Sequence, residues 1–152
     1  MTIEQDKVLA EAIGFEADGF NDSLGRPYYY YPRGQIWLPL VGSRTAVLPA
    51  FSASDHAALD WLKALPGCIY WDISRFMNLK TNEVVYSVCV CWDWDDGTND
   101  YIQVRKSDGE HKTIAAALTD AVLDLEPDPT GEYHLRIRLK PSLKEMLDEQ
   151  EN

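Results

Sequence analysis

Apolar positions near the start of the chain recur at a helical period. Ile3, Val8, Leu9, Ala12 and Ile13 share one face. Thr2 stands where an N-cap belongs and Gly14 where a C′ glycine does, so the pattern predicts a helix over 3–15. Between 16 and 50 this period is lost. Gly19, Gly25, Pro27, Pro32, Gly34, Pro39 and Gly42 break any long helix and predict a loop with short extended pieces, 35–40 among them. The aromatic run Tyr28, Tyr29, Tyr30, Tyr31 and then Trp37 would hold that segment across the core. The helical period returns with Ala58, Trp61, Leu62 and Leu65, capped by Ser52 or Ser54 and stopped by Pro66-Gly67. Trp61 falls on the apolar stripe and reads as a core anchor.

Beyond residue 67 the period shortens from 3.6 to 2. Residues 68–76 predict a strand, 78–82 a turn, and 84–94 the strongest strand of the chain. In that last strand Val84, Tyr86, Val88, Val90, Trp92 and Trp94 fall on one face, large and apolar enough to pack on helices. Val85, Ser87, Cys89, Cys91 and Asp93 fall on the other, small and mixed, which predicts a half-exposed surface. A turn over 95–99 leads to a strand over 101–106, and Asp108-Gly109 marks the next turn.

Ile114, Ala117, Leu118, Ala121, Val122 and Leu125 then give a third amphipathic helix over 113–125, with Thr113 as its N-cap. An acidic turn, 126–131, precedes strict alternation over 132–140: Tyr133, Leu135, Ile137 and Leu139 against His134, Arg136, Arg138 and Lys140. Ser142 and Glu145 form a capping box for a short terminal helix over 142–147. Together these elements predict an α+β domain: an antiparallel meander of three to four strands layered with helices as an α/β/α-type sandwich. The domain proper spans 1–125, and 126–152 form a C-terminal strand–helix extension.

Composition narrows the partners. The 152 residues include 14 Lys and Arg against 25 Asp and Glu, a formal charge of −11. Phosphate neutralisation needs the opposite surplus, so direct nucleic-acid binding and anionic membranes are disfavoured. No signal-peptide pattern or apolar run of membrane length is present, and three cysteines, Cys68, Cys89 and Cys91, are too few for a disulfide framework. Reduced thiols in a cytoplasmic protein are the expectation.

Three stretches also resemble a known family. Leu9-Ala10-Glu11-Ala12-Ile13-Gly14-Phe15 resembles the LAEKVMGW start of the phage ABA sandwich family of small phage and prophage proteins. Trp37-Leu38-Pro39 is similar to its tryptophan- and proline-rich stretch, and 49–59 to its P-x-YSTD-x-AAA helix start. Residues 112–123 occupy the place of its closing TAPLAICRAAL helix. The resemblance spans 2–125. It implies an α/β sandwich of phage or prophage origin and transfers no catalytic residue.

Chemistry is sparsely signalled. Asp93, Asp95, Asp96, Asn99 and Asp100 crowd around Gly97, which suits either a cation loop or a solvated Asp-Gly turn, and a full EF-hand is excluded by its missing helices and glutamate. No nucleophile elbow or phosphate loop is present. No catalytic, cofactor or metal residue is therefore assigned. Two surfaces suit a protein partner: Tyr28 to Tyr31 with Arg33 and Trp37, and the basic strand with Arg136 and Arg138. The acidic Asp95, Asp96 and Asp100 would engage a basic partner. The expectation is a non-enzymatic protein-binding module, such as an inhibitor of a host or defence protein with a basic surface. The alternatives are a self-associating structural module dimerising through 132–147, and a metal-dependent enzyme centred on 93–100.

Overall fold

A computed structural model describes residues 2–32, 45–95 and 99–139. The elements run α1 (Ile3–Ala12), β1 (Glu16–Asn21), β2 (Pro27–Tyr30), β3 (Thr45–Val47), α2 (Asp55–Ala64), β4 (Cys68–Asn78), β5 (Glu83–Asp95), β6 (Asp100–Lys106) and α3 (Ile114–Val122). The architecture is α+β, with two antiparallel three-stranded sheets ordered β1-β2-β3 and β4-β5-β6.

The helices form where periodicity and caps agree. Thr2 and Gln5 close a reciprocal capping box on α1, and Gly14 leaves the helix at φ +101°, where a side chain would be strained. Of the two serines that could cap α2, Ser54 does so, accepting from the Ala57 amide. Asp55 caps across the fold, its Oδ1 accepting from Ala115 N at 3.0 Å at the start of α3. Thr113 caps α3 itself. Trp61 is fully buried, and its indole N–H donates to Leu9 O at 2.7 Å, joining α2 to α1.

The β4-β5-β6 meander is the one expected. The glycine- and proline-rich stretch after α1, read as a loop with short extended pieces, forms in its described part a second three-stranded sheet that this reading did not include. Gly25 takes φ +85° in the turn between β1 and β2, where Asp22 accepts from the Leu24 and Arg26 amides, whereas Gly19 lies within β1 and Pro27 opens β2. The predicted strand over 132–140 is corrected: its described residues, 132–139, make a single bridge, Leu123↔Leu135. Its alternation is real, since Tyr133, Leu135, Ile137 and Leu139 pack on the core, with Ile137 buried. However, its backbone bonds go to the exit of α3, through Asp124 N to His134 O and Arg136 N to Val122 O, and not to a sheet edge. The helices also end earlier than predicted, at Ala12 and Val122. The expected strand over 35–40 and helix over 142–147 lie outside the described residues.

One hydrophobic cluster joins both sheets and all three helices, from Leu9 and Phe15 through Tyr29, Phe51 and Trp61 to Val88, Trp92, Leu118 and Ile137. A buried carboxylate ties its first half. Asp6, 3% exposed, accepts from Ser52 N at 2.8 Å, Ser52 Oγ at 2.7 Å and Arg26 Nη2 at 2.8 Å, while Arg26 Nε donates to Leu48 O at 2.6 Å. One side chain thus links α1, the β1–β2 turn and the approach to α2. Ser52, read as a candidate cap, serves this link instead.

Asp6→Ala leaves Ser52 and Arg26 Nη2 without the Asp6 acceptor, and is expected to lower stability by about 3 kcal/mol. Urea unfolding should show a lower midpoint with unchanged slope, and Asp6→Asn, which keeps one carbonyl acceptor, should fall between. A midpoint for Asp6→Ala equal to that of the parent chain would remove the carboxylate from this role.

Candidate functional site

Strand alternation divides the tyrosine run. Tyr29 turns inward, and its phenol donates to Glu11 Oε1 at 3.4 Å. Burial first, then the Glu11 charge, pushes its pKa up to about 12. Tyr31 meets Phe15 edge to face at 5.5 Å. Tyr30 is 40% exposed and Tyr28 half-buried. Arg33, Trp37 and Asp96 lie outside the described residues, as does the side chain of Asp95, whose backbone pairs with Asp100 at the end of the β5–β6 ladder.

Arg136 and Arg138 are engaged within the chain. Arg136 Nε donates to Asp124 Oδ1 at 3.1 Å and Nη1 to Asp120 O at 2.8 Å, while Arg138 sits 5.8 Å above the Trp94 ring. The described members of the expected partner set therefore belong to three separate parts of the fold: β2 and the residue after it, the β5–β6 hairpin and the arm after α3. Both arginines are engaged by groups of the same chain, Arg138 remaining exposed, and Lys140 lies outside the described residues.

Two further clusters carry recognisable chemistry. His111 Nε2 lies 2.9 Å from Asp120 Oδ2, the same oxygen that accepts from Asp108 N at 2.7 Å, so the pair fastens the β6–α3 connection. Asp128, Glu132 and His134 lie close enough to hold a metal ion. Asp128 is, however, already saturated: Oδ1 accepts from Thr130 N, Thr130 Oγ1 and Glu132 N, and Oδ2 lies 2.7 Å from His134 Nε2. A cation there would have to displace the bonds that shape the turn. His134 borders two open clefts, each ≈ 490 Å³, one against α1 at Glu4, Lys7 and Glu11 and one beside Asp124 and Arg136.

Among the described residues, several exposed apolar side chains share the outer face of the β4-β5-β6 sheet. Register fixes which residues share it. Tyr70, Cys91 and Val104 form one cross-strand row; Asp72, Cys89 and Lys106 form the next; Ser74 faces Ser87, and Phe76 faces Val85. The inner face, with Trp71, Ile73, Val88, Val90 and Trp92, packs into the core, and α3 lies against β5 and β6. On the outer face Ile102 is 64% exposed, Val104 55%, Tyr70 54% and Phe76 43%. Cys89 and Cys91 sit half-buried among them, and burial raises the Cys89 thiol above its ordinary value. Asp72 is the main cause of the raised Tyr70 phenol, and Lys106 acts on Cys89 in the opposite sense to Asp72, as their shared row requires.

The period-2 pattern of β5 showed this face as small and mixed. Its apolar character comes from β4 and β6, whose side chains join it only once the register is known. No family model, curated protein or solved structure matches the chain. Among the described residues no helix is long and apolar enough to cross a membrane.

The His134–Asp128 pair sets a pH dependence. Hydrogen bonds from Thr130 and His134 hold the Asp128 carboxyl well below the usual carboxylate range, and the bond to Asp128 raises His134 above 6.5. His134 therefore contributes stability that is complete below pH 6.5 and lost as pH rises through its folded value. Asp128 contributes stability present above 3.8 and lost as pH falls through its own. A proton NMR titration should place His134 above 6.5, and Asp128→Asn should bring it down toward that value. An unchanged midpoint in the variant would contradict the coupling.

Proposed function

We propose that this chain is a non-enzymatic protein-binding module whose contact surface is the outer face of the β4-β5-β6 sheet. The observation that carries this reading is the exposure of Tyr70, Phe76, Ile102 and Val104 on one side of a sheet whose other side is core. Exposed apolar side chains grouped on one sheet face mark protein contacts, because leaving them in water costs about 25 cal/mol for each Å². Tyr70, Val104 and Ile102 occupy adjoining rows toward one end of the face and Phe76 lies toward the other, with the charged Asp72–Cys89–Lys106 row between them.

The local chemistry supports a binding role over a catalytic one. Asp6, Asp120 and Asp128 each hold backbone amides in place, and His111 and His134 are each bonded to one of these carboxylates. The helix and cap motifs that resemble the phage ABA sandwich family support reading the module as a phage or prophage accessory protein.

A photoreactive residue at position 104 should yield a protein–protein adduct on irradiation, and Ile102→Lys should suppress it. Because Ile102 is exposed, that substitution should change stability by no more than about 0.5 kcal/mol. Absence of any adduct from positions 70, 102 and 104 would overturn the assignment of this face.

A further inference from the structure

The occupant of this face can be read from its own charge pattern. We infer that the outer face of the β4-β5-β6 sheet docks onto the same face of a second copy, about a two-fold axis running along β5. This inference rests on the protein-binding reading above and names its partner.

The argument begins with the row Asp72–Cys89–Lys106, which places an anion on one edge strand, a cation on the other and a small thiol between them. Neighbouring strands are about 4.8 Å apart, so the two charges stand on either side of β5 at equal distance. A two-fold rotation about an axis along β5 turns the sheet over and exchanges its edges. Each Asp72 then lies over Lys106 of the second copy, and Cys89 faces Cys89 across the axis. The same rotation sets the exposed Tyr70 of each copy over Val104 of the other, because these two residues flank Cys91 in the same way. The Asp72–Lys106 and Tyr70–Val104 rows are thus both self-complementary under one operation, as an isologous interface requires, while Glu83 and Asp93, which the same rotation sets over their own copies, lie toward the two ends of β5. A two-fold axis across the strands at the Cys89 row would instead stack Asp72 on Asp72 and Lys106 on Lys106.

Size is compatible with this arrangement. β4, β5 and β6 contain 11, 13 and 7 residues. At about 3.3 Å per residue and 4.8 Å per strand the face covers roughly 500 Å², or about 1,000 Å² for the pair. That is the lower limit of specific interfaces, so the dimer should be concentration-dependent, with affinity on the order of micromolar. Two aligned sheets pack about 10 Å apart. Facing Cys89 residues are therefore too far apart at Cα to form a disulfide without backbone movement.

Sedimentation equilibrium of the full chain provides the test, run at about 0.15 M salt so that repulsion between two acidic chains is screened beyond about 8 Å. Between about 0.05 and 50 µM, a span centred on micromolar affinity, the mass should rise from 17.3 kDa toward twice that value. Asp72→Lys alone sets a cation over each Lys106 of the other copy, and Lys106→Asp alone sets an anion over each Asp72. Each single variant should remain monomeric with its melting temperature preserved. An equimolar mixture of the two should recover association, because only in the mixed dimer do the two cations of the Asp72→Lys chain, at positions 72 and 106, lie over the two anions of the Lys106→Asp chain, at positions 106 and 72.

A parent chain that stays at 17.3 kDa throughout would overturn the inference, as would single variants that dimerise like the parent or a mixture that associates no better than its components. A monomeric parent that still forms an adduct with a foreign chain through position 104 would overturn self-docking alone and leave the protein-binding reading standing. Absence of every adduct would overturn both.

Discussion

The structure depends on a constraint that acts along β5. A strand in the middle of a sheet sends alternate side chains to opposite faces, and β5 has hydrogen-bonded neighbours on both sides. Once Val88, Val90 and Trp92 are committed to the core, Ser87, Cys89 and Cys91 must face away from it. A slip of one residue would bury the small mixed set and expose the large one, so the register is held by the full difference in apolar burial. Through the ladders, the same choice decides which residues of β4 and β6 reach solvent.

The remaining parts of the fold supply the inner layer that this choice requires. α3 can lie close to β5 because Ala115, Ala117 and Ala121 are fully buried on it. Asp55 fastens the start of α3 to α2, the Trp61 indole fastens α2 to α1, and the Asp6 carboxylate fastens α1 to the β1-β2-β3 sheet. Gly67, at φ +77°, lies against the Trp92 ring, where an added Cβ would stand 3.4 Å from it, so the chain enters β4 beneath that indole. The polar groups within this layer act as connectors between elements.

The sequence made some of this legible and hid the rest, for physical reasons. The caps at Thr2 and Thr113, the core position of Trp61 and the alternation of β5 could be read directly, because each depends on residues a few positions apart. The first sheet was hidden because its strands are short and its pairings, such as Tyr28 with Val47, reach across a long connection. The strand expected after residue 132 failed for a related reason. Alternation reports which side is buried, as it does for Ile137, but not whether the backbone finds a ladder. The outer face was only half visible. Ile102 and Val104 lie on a different strand from Cys89 and Cys91, and only the register brings them together. The tyrosine run, conspicuous as four identical neighbours, was separated by the same alternation that builds the face.

The central claim is that the half-buried thiols of β5 lie beneath a second copy of the chain. Alkylation rates of Cys89 and Cys91, followed by mass spectrometry across a concentration series, test it most directly. Cys68, which pairs with Trp92 on the core side of the sheet, serves as an internal reference. The account predicts that Cys89 and Cys91 become progressively protected relative to Cys68 as concentration rises. Rates that keep a constant ratio to that of Cys68 at every concentration would contradict it.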